Sequence, residues 1–355
     1  MIFTYEQLYK AGKKVVPQNS DKDSHVKLRY QLEQKLTALL ISLEKGVFQP
    51  APLALKAIYI PKKRIAQVPS VMDKIVQHAI CDNYLYDALT KPLVKETSSC
   101  LKGRGTHYAV NLIKRQLRKH YREHGREFYA LKCDIKSYFA SIPHDKLWSV
   151  IERYVDDEDV KKIMQKYIAL SDCGLALGLQ QSQLLANLYL SPLDHYCKEY
   201  LRADKYNRHM DDFCIISHDR KYLEDCLTKI EPFVMRQGLS LNPKTEITHN
   251  KINFLGFTFY INENGKAVQR LLNSKKRTKK RHIRMMMREV AGGERTVEKF
   301  VSSYMSWRCH ALSGDCYKMV AEWDGKIEAF LNSLGYGWKI KGNKVKLYVK
   351  DFGTA

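Results

Sequence analysis

Three aspartates are placed where they could hold a divalent metal ion. Asp134 follows the short apolar run 128–133, and Asp211 and Asp212 precede the apolar run 213–216. Two strands that each bring an aspartate to one end of a sheet form an oxygen-rich site that suits Mg²⁺. Two such ions can stabilise both the attacking and the leaving oxygen of a phosphoryl displacement. Together with the formal net charge of +22, this placement indicates nucleotidyl transfer on a nucleic-acid end.

The adjacent aspartates Asp211 and Asp212 can serve one site only if the backbone turns there. Consecutive residues of a regular strand point to opposite faces, whereas a tight hairpin brings both carboxylates to its tip. We therefore predict a hairpin turn at these two residues. Taken alone, an Asp-Asp pair is more often an ordinary polar turn. A metal site is favoured here because Asp134 also lies at the end of a predicted strand and could meet the Asp-Asp pair at one end of a sheet.

The composition indicates a polyanionic partner. Lys and Arg number 60 against 38 Asp and Glu, which is a formal net charge of +22. Such a surplus favours nucleic acid, because each phosphate contact releases condensed counterions. A hydrophobic content of 45% excludes a disordered chain, and a length of 355 residues predicts two or three packed subdomains.

The sequence predicts a cytoplasmic protein that does not associate with membranes. No run approaches the roughly 18 apolar residues that a membrane span needs. The first residues lack the basic-then-apolar order of a signal peptide. The nine cysteines are scattered without a Cys-x-x-Cys pair, which indicates neither a disulfide framework nor a zinc site and suits a reducing compartment.

Hydrophobic periodicity predicts the helices and short strands that would position the aspartates. Helices are predicted within the first fifty residues and over residues 72–89, 106–121, 144–154, 180–201 and 222–235. Pro192 is expected to kink or divide the helix 180–201. Strands are predicted over residues 55–60, 64–68, 128–133, 206–216 and 252–261, the first two forming a hairpin with a basic tip. The acidic cluster 156–159 is predicted to be a solvated loop or a helix start, and the tail from Gly335 a small hairpin.

Residues 275–288 carry eight Lys or Arg in fourteen positions, and this change in composition marks a boundary. In a helix, a single apolar stripe would contain Ile283, Met286, Met287 and Val290. At about 100° per residue, one sector of roughly 60° on another face would contain Arg277, Arg281, Arg284 and Arg288. A charged face is usually only solvated, but four arginines without alternating acids favour phosphate contacts. Tyr304, Trp307 and Tyr317 are predicted to be core residues.

Together, these motifs resemble those of the prokaryotic reverse transcriptases, in that family's order and over roughly residues 50–315. The family's two catalytic blocks are matched by Asp134 with Phe139 and by Met210-Asp211-Asp212. Other blocks are matched by residues 62–64 with 72–77, 102–107 with 109–110, 178–183, 241–245 and 253–257. The resemblance implies an α+β right-hand polymerase fold with an antiparallel palm sheet, helical fingers and a helical thumb. It divides the chain into N-terminal helices and fingers (1–128), palm (129–262), thumb (263–334) and C-terminal tail (335–355).

One block indicates which subgroup of that family the chain resembles. Gly178, Ser182 and Gln183 fit the pattern Gly-x-x-x-Ser-Gln, which resembles the enzymes of diversity-generating retroelements and some antiphage-defence reverse transcriptases. The resemblance favours the diversity-generating type, which implies error-prone copying and a small, basic, helical accessory protein. A defence enzyme with templated or template-independent DNA synthesis is the alternative. A non-catalytic RNA-binding scaffold that kept the fold is another.

The resemblance also implies roles for individual residues. Asp134, Asp211 and Asp212, with the backbone carbonyl of Ile135, would hold two Mg²⁺ ions, or Mn²⁺ in their place. The enzyme would extend a DNA primer on an RNA template from dNTPs, with Lys244 near the leaving pyrophosphate as a proton donor. Nucleotide contacts would come from Lys62, Arg64, Phe139 and Gln183. Nucleic-acid contacts would come from Gly256, Arg277, Arg281, Arg284 and Arg288.

Several of these assignments have a plainer alternative. Phe139 would be the gate against a ribose 2′-hydroxyl, but a phenylalanine is more often a core residue. Gln183, with Gln180, would lie beside the templating base, but Ser182 could instead cap a helix that Gln183 begins. His209 replaces the family's usual tyrosine, and we interpret this as a conservative packing change.

Overall fold

The computed structural model describes residues 3–17, 23–58, 64–342 and 344–349. The helices are α1 (Tyr5–Val15), α2 (Asp23–Tyr30), α3 (Leu32–Glu44), α4 (Val71–Ile80), α5 (Tyr86–Thr90), α6 (Thr106–His124), α7 (Tyr138–Ser141), α8 (His144–Ile151), α9 (Glu158–Ile168), α10 (Gln180–Tyr189), α11 (Ser191–His195), α12 (Arg220–Arg236), α13 (Asn273–Ala291), α14 (Val297–Ser313) and α15 (Tyr317–Ser333). Two π-helical segments, Cys81–Leu85 and Tyr196–Tyr200, continue α4 and α11.

The strands form short, mainly antiparallel sheets. They are β1 (Ala54–Ile58), β2 (Arg64–Val68), β3 (Tyr129–Cys133), β4 (Tyr206–His209), β5 (Asp212–Ser217), β6 (Glu246–His249), β7 (Ile252–Phe254), β8 (Phe257–Ile261), β9 (Ala267–Leu271), β10 (Tyr336–Lys341) and β11 (Lys344–Val349). One sheet has the order β4-β5-β3-β6 and another the order β7-β8-β9, and β1-β2 and β10-β11 are hairpins. Strand β5 pairs antiparallel with β4, so that His209 faces Asp212 across the hairpin.

The chain divides into two compact units. The first contains Met1–Ala109, Cys133–Ile215 and Lys221–Glu246. Its centre is α10, whose residues from Leu184 to Tyr189 are all buried and which packs against α4, α5 and α8. Over residues 184–189 the helix is enclosed on all sides, and this explains the leucine and alanine residues in that part of α10.

The second unit contains Val110–Lys132, Ile216–Arg220 and Ile247–Ala355. Within it, α13 packs against α14, and α14 packs against α15. The apolar stripe predicted for α13 faces inward, since Ile283, Met286 and Val290 are buried. Hairpin β10–β11 covers α15 and α14.

Several sequence predictions about local structure are confirmed. Helix α10 ends just before Ser191, and Pro192 lies in the first turn of α11, where a residue without an N–H is tolerated. In the acidic cluster, the Asp157 side chain accepts hydrogen bonds from the N–H groups of Asp159 and Val160, so it caps α9. The predicted hairpins at β1–β2 and β10–β11 are present.

Other predictions are wrong in detail. Residues 252–261 form two strands because Leu255 and Gly256 adopt positive φ values of 51° and 83° and turn the backbone. Strands β6 and β9 carry no clear alternation and were not predicted. Tyr317 is exposed, whereas Tyr304 and Trp307 are buried as expected. Among the described residues, we find no helix with the length and apolar character needed to cross a bilayer.

Candidate active site

The predicted turn at the aspartate pair is present. In the β4–β5 hairpin, Met210 and Asp211 form the turn and Asp212 begins the second strand. Met210 has φ +61°, in the left-handed region that side chains other than glycine rarely adopt. Both aspartates are half-buried. A tight turn therefore carries both carboxylates at one end of the hairpin, as their adjacency requires.

Asp134 is held by the segment that precedes β6. The Asn242 side chain donates from Nδ2 to Asp134 Oδ2 at 2.9 Å, and the Asn242 backbone N–H donates to the Asp134 carbonyl at 2.7 Å. Ile135 forms an antiparallel bridge with Leu241. The two bonds that flank this bridge use the carbonyls of Asp134 and Ser240, so the Ile135 carbonyl is not consumed by them. Sequence reasoning assigned no role to Asn242, although it stands in a recognised block.

Cys133 and Tyr138, which lie on either side of Asp134 in the sequence, interact electrostatically with residues of the β4–β5 hairpin. Burial raises the pKa of the Cys133 thiol, and the nearby Cys214 of β5 adds to this rise. Tyr138 is fully buried and donates to the Ala186 carbonyl at 2.5 Å. Burial raises the pKa of Tyr138 well above its usual value, the Arg208 charge opposes this rise, and the Asp211 charge contributes to it. The segment that begins at Asp134 therefore lies within electrostatic range of the aspartate turn.

Behind the turn lies a buried polar network that sequence reasoning missed. Arg208 and Asp194 have fully buried side chains and form a bidentate pair, with Nε to Oδ1 and Nη2 to Oδ2 both at 2.6 Å. Tyr206 and Thr97 also donate to Asp194, at 2.7 and 2.9 Å. Burial opposes the Arg208 charge, but the Asp194 carboxylate outweighs it and raises the pKa of Arg208. No clear sequence signal marks this pair, because Arg208 lies between Asn207 and His209 and Asp194 is followed by His195.

The predicted metal ligands are oxygen donors, which is the chemical type that a divalent ion prefers. Among residues 3–17, 23–58, 64–342 and 344–349, no group of three or more His, Cys, Asp or Glu side chains is arranged to hold a metal by itself. Mg²⁺ is commonly bound by one or two carboxylates together with waters and substrate phosphates. The carboxylates of Asp134, Asp211 and Asp212 are hard oxygen donors of the kind that such a site uses.

Phe139 lines a cavity of about 440 Å³ together with Gln67, Leu175 and Leu177. Its side chain is half-buried and its backbone is tightly held, since the Leu175 N–H donates to the Phe139 carbonyl at 2.7 Å. Gly174 has φ +73°, and a Cβ there would lie 2.3 Å from the same carbonyl. Phe139 therefore lies beside an open space, with its backbone held by the hydrogen bond from Leu175.

A second cavity of about 430 Å³ is lined by residues from α4 and by the block 178–183, including Gln180 and Gln183. Gln183 is exposed, whereas Ser182 is buried inside α10. The alternative in which Ser182 caps the helix is wrong, because the helix begins at Gln180 and its N-cap is Leu179. Gly178 has φ +119°, and a Cβ there would lie 2.2 Å from the Gln67 carbonyl oxygen, so this close approach requires glycine.

The other residues predicted to lie near the nucleotide are Lys62, Arg64 and Lys244. Lys62 lies outside the described residues, as does Lys63. Arg64 begins β2, where its backbone pairs with that of Ile58. Lys244 is exposed, and its N–H donates to Asn242 Oδ1 at 3.1 Å, which places it in the same turn as the residue that holds Asp134.

The predicted nucleic-acid contacts lie in the second unit. Gly256 forms the β7–β8 turn, and its carbonyl accepts from the Leu272 N–H at 3.1 Å. The four arginines of the predicted sector are all exposed on α13: Arg277, Arg281, Arg284 and Arg288. The Arg284 guanidinium lies 5.9 Å from the Trp323 ring centroid. The charged face and the apolar stripe of α13 are thus separated as the periodicity predicts.

The sheet β4-β5-β3-β6, with two carboxylates at the turn of its antiparallel β4–β5 hairpin, is consistent with a polymerase palm. Comparison with known proteins identifies the family. The model of the family described as "Reverse transcriptase (RNA-dependent DNA polymerase)" matches residues 56–259, more than half of the chain. The chain belongs to this family, and the predicted α+β right-hand polymerase fold is confirmed. Reverse transcriptases generally use divalent metal ions.

Individual relatives are more distant. Protein YkfC of Escherichia coli (strain K12) is 27% identical over 197 residues, which cover 50% of this chain and 49% of YkfC. The chain thus spans about half the length of this curated relative, which is prokaryotic as the motifs predicted. Apo telomerase from Candida tropicalis, truncated from its C-terminal domain, aligns with TM-score 0.47 and 15% identity over 64% of this chain and 59% of that chain. Candida albicans telomerase in complex with a fragment of telomeric RNA aligns with TM-score 0.48 and 13% identity over 81% and 58%.

Proposed function

We propose that the chain is an RNA-directed DNA polymerase that extends a DNA primer on an RNA template. The observation that carries this proposal is the tight turn bearing Asp211 and Asp212 in a chain of the reverse transcriptase family. Asp134, fixed by two hydrogen bonds from Asn242, supplies the third carboxylate. The primer 3′-hydroxyl attacks the α-phosphate of a dNTP and pyrophosphate leaves.

The metal site follows from the same residues. Asp134, Asp211, Asp212 and the Ile135 carbonyl would hold two Mg²⁺ ions, with Mn²⁺ as the alternative. When bound, such ions stabilise the charge on the attacking and leaving oxygens. Asn242 keeps the Asp134 carboxylate oriented, and the neighbouring Lys244 is assigned to the pyrophosphate side. Catalysis on this scheme consists of positioning and electrostatic stabilisation.

Substrate selection is assigned to the two cavities of the first unit. Phe139 beside the 440 Å³ cavity would exclude a ribose 2′-hydroxyl, so Phe139→Ala should admit ribonucleotides. Gln183 beside the 430 Å³ cavity would face the templating base. Lys62 and Arg64 are assigned to the triphosphate, because arginine in particular matches phosphate geometry.

Nucleic-acid binding is assigned to Gly256 and the four exposed arginines of α13. These would hold the primer–template duplex by its phosphates, without reading its sequence. We keep the assignment of residues 1–128 to N-terminal helices and fingers, 129–262 to palm, 263–334 to thumb and 335–355 to the tail. We place the enzyme in the cytoplasm with a small, basic, helical accessory protein as partner.

Primer extension tests the proposed activity. Purified protein is incubated with an RNA template, a DNA primer, dNTPs and Mg²⁺, and incorporation is measured alongside thermal unfolding. Asp211→Asn should lower incorporation by at least about 10³-fold while leaving the protein folded. The matched control is Asp225→Asn, since Asp225 is an exposed aspartate on α12 that pairs with Lys229 at 2.7 Å. Absence of incorporation by the wild type, or full activity of Asp211→Asn, would refute the proposal and favour a non-catalytic scaffold.

Product sequencing tests whether the enzyme is of the diversity-generating type or of the defence type. We propose a diversity-generating enzyme on the strength of the block Gly178–Gln183, and that assignment predicts template copies with errors concentrated at template adenines. Homopolymeric or random products formed without a template would instead support a defence enzyme. Replacing Gln183 should change the error spectrum opposite adenine if this residue lies beside the templating base.

A further inference from the structure

The buried polar network behind the aspartate turn reaches the turn itself. Arg208 Nη1 donates to the Met210 carbonyl at 3.0 Å, and the same nitrogen donates to Asn187 Oδ1 at 3.1 Å. The Met210 carbonyl belongs to the peptide bond that leads directly into Asp211. The guanidinium is therefore one residue away from the proposed metal ligands through a single hydrogen bond.

The rest of the network leaves Arg208 no alternative orientation. Asp194 holds one edge of the guanidinium in the bidentate pair, and Nη2 also donates to the Asn187 carbonyl at 3.1 Å. The Arg208 backbone is fixed as well, because its N–H donates to the Glu96 carbonyl and its own carbonyl accepts from the N–H and the hydroxyl of Ser98. Both the backbone and the side chain of this residue are thus constrained by segments that are distant in sequence.

Stability alone does not explain such a network. Replacement of a buried ion pair by apolar residues of similar volume is often neutral or stabilising. The β4–β5 turn, in contrast, needs support, because Met210 is in a left-handed conformation that is unfavourable for a side chain of its size. A fixed donor at the Met210 carbonyl favours this one turn geometry over its competitors.

We propose that Arg208 is a positioning residue of the polymerase, which acts through the Met210 carbonyl to fix Asp211 and Asp212, and that Asp194 and Asn187 orient Arg208 for this task. The inference rests on the proposed function for its catalytic consequence. Its structural part, the restraint of the turn, does not depend on activity. Arg208 touches no substrate in this scheme.

The variant Arg208→Lys keeps the positive charge but cannot pair with Asp194 in a bidentate manner and also reach Met210. A matched control exists in the second unit, where Arg308 Nε donates to both carboxylate oxygens of Asp324 at 3.0 and 2.9 Å. Tyr304 donates to Asp324 at 2.7 Å, just as Tyr206 does to Asp194. Arg308→Lys therefore disturbs a less buried cluster with similar hydrogen bonds but without a connection to Met210.

The test combines kinetics with hydrogen exchange measured by mass spectrometry. Arg208→Lys should lower kcat for dNTP incorporation by about 10²-fold, since small misplacement of catalytic groups has effects of that size, with little change in the Kd for primer–template. It should also accelerate amide exchange in residues 206–217 of the protein alone. Arg308→Lys should leave kcat and this exchange within about twofold of wild type.

The outcomes are distinguishable. Wild-type kcat and wild-type exchange in folded Arg208→Lys would overturn the inference while the proposed function stands. Equal losses in Arg208→Lys and Arg308→Lys would also overturn it, because the effect would then be general destabilisation. An inactive wild type would refute the proposed function, and exchange at residues 206–217 would still decide whether Arg208 restrains the turn. If Arg208→Lys does not fold, the double variant Arg208→Met/Asp194→Leu removes both charges, and the same two measurements apply.

Discussion

Arg208 in the first unit and the exposed arginines of α13 in the second use the same side chain in opposite ways. Arg208 has no exposed surface, and its donors reach Asp194, Asn187 and the Met210 carbonyl at defined distances. The arginines of α13 are exposed, and the helix carries few acids to balance them. The Arg208 network is defined by the geometry of its hydrogen bonds, whereas the α13 face, under the proposed function, would act through the amount of its charge.

This difference determines how each region should respond to mutation and to salt. A buried guanidinium is expensive to desolvate and must be matched by fixed partners, so the loss of one partner leaves an uncompensated charge. Exposed charges interact with phosphate through a screened field, so lysine can replace arginine and salt weakens binding. The half-buried pair of Arg308 and Asp324 lies between these limits.

The largest effect is expected from Asp194→Ala. Removing the carboxylate leaves the buried Arg208 without its bidentate partner, which should lower the free energy of unfolding by about 3–5 kcal/mol. Urea denaturation measures this loss. A loss below about 1 kcal/mol would show that Arg208 finds another partner or reaches water.

The next effect is expected when all four arginines of α13 are changed to glutamine: Arg277, Arg281, Arg284 and Arg288. The Kd for primer–template should rise by about 10²-fold at low salt, because phosphate contacts are lost. The dependence of log K on log salt should become shallower by about one unit for each arginine that contacts a phosphate. Fluorescence anisotropy over a salt series measures both, and an unchanged slope would exclude this face from binding.

An intermediate effect is expected from Arg308→Ala. The pair with Asp324 is only partly exposed, so its loss should destabilise the protein by about 1–2 kcal/mol without changing the salt dependence of nucleic-acid binding. The same urea and anisotropy measurements apply. A change in the salt slope would instead place Arg308 among the phosphate contacts.

The smallest effect is expected from Arg281→Lys. An exposed lysine keeps the charge, so the free energy of unfolding should change by less than about 0.5 kcal/mol and the Kd by less than about twofold. Arg208→Lys, by comparison, should lower kcat for dNTP incorporation by about 10²-fold. If Arg281→Lys weakens binding strongly, Arg281 makes a bidentate contact and the two regions are less different than we infer.

Local features of the fold were predictable from the sequence because they depend on neighbouring residues. The turn at Asp211 and Asp212, the break at Pro192 and the two faces of α13 each follow from strand alternation, a missing N–H or helical periodicity. The prediction of a single strand over residues 252–261 was wrong. The residues there favour a strand, but the backbone turns at Leu255, which has a positive φ. Here the short-range pattern favours a strand, and the packing of β7, β8 and β9 overrides it.

By itself, the sequence determined the residue types of the proposed site: three carboxylates, the aromatic Phe139 and a basic helix, in an order that resembles the family. It could not determine the partners of Arg208, because Asp194 and Thr97 are 14 and 111 residues away and the pairing of buried charges leaves no periodic signal. Only the tertiary structure decided that Asn242 holds Asp134 and that Arg208 supports the aspartate turn. The physical reason is that a buried polar group must be satisfied by whichever partner the fold brings within hydrogen-bonding distance.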